Sequence, residues 1–187
     1  MRIGTLVVAG AVGLGAMLPG TAQAVEPGQS AAELTSQLRI PGWAPEPWQP
    51  YDQAEFSWPA GEACPFEVAV EVVTEDLSSR VLARFPDGTV RAEQFTGPLV
   101  MDFVNTATGA RARHDLSGEG VQTYTADGAP LRFIGVGPFG TGFAPDDDYP
   151  AGVWVLDGIH VVRWSADGTK SMEVDLGPEL NVCTELD

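Results

Sequence analysis

The chain has 187 residues, with 26 acidic against 10 basic side chains and a formal net charge of −16. A negative field of that size disfavours nucleic acid and anionic membranes as partners and favours solubility or a cationic ligand. Two cysteines and two histidines also leave few ways to build a nucleophilic or metal site.

Residues 1–24 read as a secretory signal. Arg2 is a small positive start, Ile3 to Leu18 form an apolar run too short and glycine-rich for a membrane span, and Ala22-Gln23-Ala24 is a small-residue cleavage pattern. The remaining chain is expected to begin at Val25, to be extracellular, and to have no membrane contact after cleavage.

Residues 25–63 form a Pro/Trp-rich N-terminal segment. Ser30 and Glu33 have capping-box spacing, which predicts a short helix up to about Leu38 that stops before Pro41. Pro41, Pro45, Pro47, Pro50 and Pro59 then remove backbone donors and favour extended chain. Trp43, Trp48, Tyr51, Phe56 and Trp58 are interleaved with them, too dense a set of rings for an idle linker. Two roles fit: a peptide or sugar recognition surface, or a strap laid across the open face or end of the domain that follows.

Residues 64–187 form a β-domain. Phe66, Val68, Val70 and Val72 alternate with Glu67, Ala69 and Glu71, the period of a strand with one buried face. Further strands are expected near 80–85, 89–95, 99–106, 110–116, 120–125, 130–137, 153–156, 159–165 and 169–176. Short strands at this spacing predict an all-β fold, an antiparallel meander of about 8–10 strands closing as a barrel or sandwich.

Asp-Gly recurs at Asp87-Gly88, Asp127-Gly128, Asp157-Gly158 and Asp167-Gly168, a hairpin-turn signal in each place. For the last, a three-residue Ala166-Asp167-Gly168 loop sets Val162 opposite Met172 and His160 opposite Val174, gathering apolar side chains on one face. At Pro86-Asp87-Gly88 one register pairs Phe85 with Val90 but opposes Arg84 to Arg91, so the choice stays open. The expected hairpin Val153 to Trp164 is apolar on both faces and needs two covers, the second from the aromatic segment 43–58.

Outside the cell Cys64 and Cys183 are expected to be oxidised to each other. Closing a loop of about 120 residues would remove roughly 4–5 kcal/mol of denatured-state freedom on the chain-entropy model.

His114 shares a face with Ala110, Ala112 and Leu116, and the preferred register puts His160 inside as well, so the two imidazoles form a candidate interior ligand or metal site. The longest expected loop, Pro138 to Gly152, contains Asp146-Asp147-Asp148, which could hold calcium, although successive side chains diverge and no EF-hand order is present. No G-x-S-x-G elbow, H-E-x-x-H, P-loop or dinucleotide fingerprint occurs, so no cofactor and no catalytic residue is assigned.

Cys64-Pro65-Phe66-Glu67-Val68, the turn Asn105-Thr106-Ala107-Thr108-Gly109, the Asp-Gly hairpins and the closing Asn181-Val182-Cys183-Thr184-Glu185-Leu186 resemble a group of small exported actinobacterial proteins of unassigned function. The resemblance spans about residues 60–187 and implies fold and disulfide; it brings no functional residues. The expected function is a secreted non-enzymatic binding module for an unknown small molecule or protein. The alternatives are an extracellular hydrolase with an acidic active site and a structural, envelope-associated protein.

Overall fold

The computed structural model describes residues 40–187, and among these the chain is almost wholly antiparallel β-structure. The signal-type segment 1–24 and the short helix expected near 30–38 lie outside the described residues. The strands are β1 (Gln49–Tyr51), β2 (Phe56–Trp58), β3 (Val68–Glu75), β4 (Leu77–Arg84), β5 (Val90–Thr96), β6 (Leu99–Asn105) and β7 (Arg111–Asp115). They continue with β8 (Glu119–Tyr124), β9 (Pro130–Val136), β10 (Phe139–Phe143), β11 (Gly152–Leu156), β12 (Ile159–Trp164), β13 (Lys170–Leu176) and β14 (Glu179–Asn181), followed by a one-turn helix α1 (Val182–Glu185).

The strands form a seven-stranded sheet in the order β1-β4-β5-β8-β9-β12-β13, a four-stranded sheet β2-β3-β6-β7 and a three-stranded sheet β10-β11-β14. No sheet closes on itself, so the fold is sandwich-like and the barrel alternative is set aside. Among the described residues there are fourteen strands in place of the expected ten, because the N-terminal segment, the 138–152 loop and the C-terminal end all supply short ones.

The order of strands follows from a repeat of 40 residues. Asp-Gly stands at 87, 127 and 167, and Gly-Pro at 97, 137 and 177. At each Asp-Gly the same three-residue turn closes a hairpin, by Phe85 N to Thr89 O, Thr125 N to Ala129 O and Ser165 N to Thr169 O, all 2.9 Å. At each Gly-Pro the chain passes from one layer to the other, pinned by Asp76 N to Pro98 O, Gly118 N to Pro138 O and Asp157 N to Pro178 O at 2.8–2.9 Å. Each unit therefore has an inner hairpin and two outer strands. The inner hairpins β4-β5, β8-β9 and β12-β13 lie side by side in the seven-stranded sheet. The outer strands make the second layer, which is split between β7 and β10.

Three expectations need correction. Asp157-Gly158 is not a hairpin turn: β11 and β12 belong to different sheets, and this Asp-Gly sits at a layer crossing. Residues Val153 to Trp164 are thus covered by the opposite layer and by neighbouring strands, while β1 lies at the far edge of the seven-stranded sheet from β12-β13. The last hairpin does place Val162 opposite Met172, but a bulge beyond it sets His160 opposite Asp175 rather than Val174. The Pro86-Asp87-Gly88 turn takes the same three-residue form, leaving Arg84 opposite Val90. Finally, residues 139–143 are strand β10, hidden in the sequence by Gly140 and Gly142. A Cβ on Gly142 would lie 2.6 Å from the Trp58 indole nitrogen, so a side chain there is excluded by the aromatic segment itself.

The segment Trp43 to Trp58 acts as a strap by strand addition. β1 pairs with β4 and β2 with β3, closing one edge of each large sheet. Trp48 lies under the Arg80 guanidinium at 4.4 Å, and Tyr51 meets Phe95 edge-on at 5.0 Å.

The main core lies on the inner side of the second layer, where Val68, Val70, Met101, Phe103, Leu116, Val153, Val182 and Leu186 pack around Cys64 and Cys183. The two cysteines are bonded, with Cα atoms 5.5 Å apart and 119 residues of separation. Asn181 caps α1 by accepting from Cys183 N at 3.0 Å, and buried Asn105 donates to the Leu186 carbonyl at 3.0 Å. A second small cluster, Leu82, Ala83, Ala92 and Val121 with Ile40 packed on it, occupies the other face of the seven-stranded sheet from Phe95 and Gly120.

On the four-stranded sheet Asp102 is buried beneath two arginines, accepting from Arg113 at 2.7 and 2.9 Å and from Arg111 at 2.9 Å. The Arg113 hydrogen bonds, outweighing burial and assisted by Arg111, hold its carboxyl at about 2. The ordinary value is higher, so these ion pairs contribute fully above about pH 4 and are lost as the pH falls towards about 2. Urea midpoints measured at pH 5 and pH 2.5 should fall less for Asp102→Asn than for the unaltered chain, because the variant has already lost that contribution. Reducing the Cys64-Cys183 bridge should destabilise the fold by about 2–5 kcal/mol, read as a lower thermal midpoint with reductant than without.

Candidate functional site

A row of paired residues crosses the seven-stranded sheet and faces the second layer: Ser79, Phe95, Gly120, Gly135, His160 and Asp175. Two neighbouring glycines in the middle of this row leave a trough. The Phe133 ring fills the space over Gly120, where a Cβ would lie 2.1 Å from it, and the Phe139 ring fills the space over Gly135 at the same distance. Phe133 and Phe139 pack against each other at 5.1 Å.

Beside them a cavity of about 280 Å³ opens between the layers. Phe95, Gly120 and Phe133 line it from the seven-stranded sheet, Met101 and Phe103 from the four-stranded sheet, and Leu116 from the chain just after β7. Phe139 and Gly140 supply the β10 side, so the cavity lies where the second layer is split. Tyr51, Phe56 and Trp58 complete the wall, which gives the aromatic segment a second role besides strand addition. Phe56 and Trp58 stand edge to face at 4.7 Å, and Phe56 remains 43% exposed at the rim. Gln53, Thr96 and Glu119 are the polar groups among the lining residues.

Neither histidine lines this cavity. His114 is on β7 of the four-stranded sheet, edge-on to Phe103 at 5.7 Å, with Nε2 2.7 Å from a Glu185 carboxylate oxygen. His160 is on β12 of the seven-stranded sheet and fully buried, with its ring edge-on to Phe139 at 6.2 Å. The two imidazoles therefore sit in different layers with separate partners, and they do not form one shared site.

Among the described residues one group has the composition of a metal or proton site: His160, Asp175 and Glu179, whose ligand atoms all lie within 4.8 Å of one another. The Asp175 carboxylate is 3.2 Å from His160 Nδ1. Hydrogen bonding to Asp175 and partial burial push the Glu179 carboxyl up, against the opposing bond from Tyr149. Tyr149 donates to Glu179 at 2.7 Å, and burial together with that carboxylate raises its hydroxyl. Glu179 follows the last Gly-Pro, where the alternation is too short to give a periodic signal, so the sequence pattern did not single it out.

The three adjacent aspartates do not converge. Asp147 is turned inward and accepts from Ala144 N at 2.7 Å and Lys170 N at 2.6 Å, tying the 144–148 loop to β13. Lys170 donates to the Gly142 carbonyl, and burial lowers its ammonium group despite Asp147 nearby.

No protein-family model, no curated protein and no solved structure matches the chain.

Replacing Gly135 by alanine should cost about 1–3 kcal/mol through overpacking against the Phe139 ring. In urea unfolding the loss should shrink when Phe139→Leu is added, whereas additive effects would contradict the contact.

Proposed function

We propose that this protein is a secreted, non-enzymatic binding module that holds a small, mostly apolar ligand between its two layers. The observation that carries this reading is the cavity walled by Tyr51, Phe56, Trp58, Phe95, Phe103, Phe133 and Phe139. An apolar wall with a few polar groups at one side is the usual form of a small-molecule site, for which volumes of roughly 300–1,000 Å³ are typical. At about 280 Å³ the cavity lies just under that range and suits a small ligand.

The negative net charge and the presence of Glu119 in the lining favour a neutral or cationic ligand over an anion. No histidine, cysteine, lysine or aspartate belongs to the lining, and Glu119 is its single carboxylate, which supports binding over chemistry that needs a base–nucleophile or paired-acid arrangement. The acidic pair that would favour a glycoside hydrolase is Asp175 with Glu179. Their oxygens lie within 4.8 Å and the two side chains are hydrogen-bonded, closer than the roughly 5–9.5 Å that such enzymes use. Secretion is supported by the signal-type residues 1–24 together with the disulfide. No helix among the described residues is long and apolar enough to cross a membrane.

A neutral solvatochromic dye titrated into the purified chain should shift to the blue and alter the tryptophan emission. Leu99→Phe, which fills the cavity from β6, should weaken dye binding about tenfold or more, equivalent to ~1.4 kcal/mol. Equal affinity in a folded Leu99→Phe variant, or no binding of any neutral apolar probe, would refute the proposal.

A further inference from the structure

The repeat makes the third unit's departure from the other two easy to see. The position held by Asp175 is Phe95 in the first unit and Gly135 in the second, and the position held by Glu179 is Leu99 and Phe139. In the first two units Phe95, Leu99 and Phe139 line the apolar cavity. The third unit therefore places two carboxylates where its siblings have hydrocarbon side chains or glycine, and both converge on a buried imidazole.

The hydrogen bonding of that imidazole is decisive. His160 Nε2 lies 3.3 Å from the Asp157 carbonyl, which can only accept, so Nε2 carries the proton. In the neutral ring Nδ1 is then a bare lone pair. It is buried, has no hydrogen-bond partner, and faces the carboxylates with the Asp175 oxygen 3.2 Å away. A lone pair facing an acidic pair is repulsive unless a positive charge, a proton on Nδ1 or a metal ion, stands between them, and the Asp175 oxygen, although 3.2 Å away, is not placed to accept a hydrogen bond from Nδ1.

We propose that His160 Nδ1, one Asp175 oxygen and one Glu179 oxygen bind a single divalent first-row transition ion, with zinc as the simplest occupant. Zinc bonds of ~2.0–2.2 Å in a tetrahedral site place neighbouring donor atoms roughly 3.3–3.6 Å apart, which is close to the observed nitrogen–oxygen separation. The surroundings match what metal ligands require. Nε2–H is anchored on a backbone carbonyl, which fixes ring and tautomer, and Tyr149 holds the other side of the Glu179 carboxylate. A nitrogen donor with two carboxylates selects transition ions over calcium and magnesium, which prefer all-oxygen sites. Asp175 lies on the edge strand β13 with its side chain 45% exposed, so an ion reaches the site from solvent.

The test is calorimetric titration of the untagged, chelator-stripped chain with zinc chloride, with calcium and magnesium in parallel. One zinc per chain is expected. Because His160 is fully buried, the exposed carboxylates are altered instead, and thermal midpoints without metal verify that each variant folds. Asp175→Asn and Glu179→Gln should each weaken binding more than tenfold, and Tyr149→Phe by about 10–100-fold as a supporting group. In a parallel NMR titration of nitrogen-15-labelled chain with zinc the His160 Nδ1 resonance should move while the His114 ring signals stay in place. Silence with excess zinc, preference for calcium or magnesium, unchanged affinity in both folded carboxylate variants, or movement of His114 in place of His160 would each overturn the site.

Discussion

The architecture depends on how closely two backbones meet at the layer crossings. A Cβ on Gly97 would lie 2.3 Å from the Asp76 carbonyl oxygen, and one on Gly177 would lie 1.9 Å from that of Asp157. Both glycines also have positive φ, 126° and 146°, a region side-chain-bearing residues rarely enter. Proline follows at once, contributes no amide hydrogen, and offers its carbonyl to the opposing strand. This contact turns each unit through the sandwich, sending its hairpin to one layer and its outer strands to the other. With the crossings spaced 40 residues apart, the three hairpins fall into register as one sheet.

The aromatic segment is the complement of that repeat. Three units supply six strands to each layer, and β1 and β2 add the seventh, pairing with β4 and β3 at exposed edges. A free edge invites pairing with another chain, so covering it limits association. At the far side β13 is the edge strand, covered at its start by the 144–148 loop through the Asp148–Ser171 bridge and carrying Glu173 and Asp175 further along, charges of the kind that discourage further pairing. Tyr51, Phe56 and Trp58 then serve two ends at once, since the strands that close the edges also wall the cavity.

Most strands were legible because alternation of apolar and polar residues is a local property, as in Val68 to Val72. What alternation does not convey is the layer in which a strand lies. His114 and His160 each face inward from their own strand, yet one belongs to the four-stranded sheet and the other to the seven-stranded sheet. Asp157-Gly158 misled for a similar reason, because glycine supplies positive φ both at a hairpin turn and at a crossing. Strand β10 was concealed by Gly140 and Gly142, whose missing side chains are explained only by Leu116 and Trp58 arriving from elsewhere in the chain. The repeat was present in the sequence but confined to Asp-Gly and Gly-Pro, with the strands between them free to vary. Aligning those pairs would have exposed Asp175 and Glu179 as the residues that break the pattern.

The disulfide has a mechanical meaning as well. Cys64 precedes the first repeating unit and Cys183 follows the last, with their Cα atoms 5.5 Å apart. The three units therefore form a covalently closed ring, from which residues before 64 and after 183 depart at nearly the same point. Tension applied between the two ends of the chain would peel β1 and β2, which precede Cys64, from their partner strands, but past Cys64 it runs through the sulfur–sulfur bond and bypasses the three units. The twelve strands between the cysteines are shielded from pulling for as long as that bond is intact, whereas the cavity wall supplied by Tyr51, Phe56 and Trp58 lies outside the ring and would yield first.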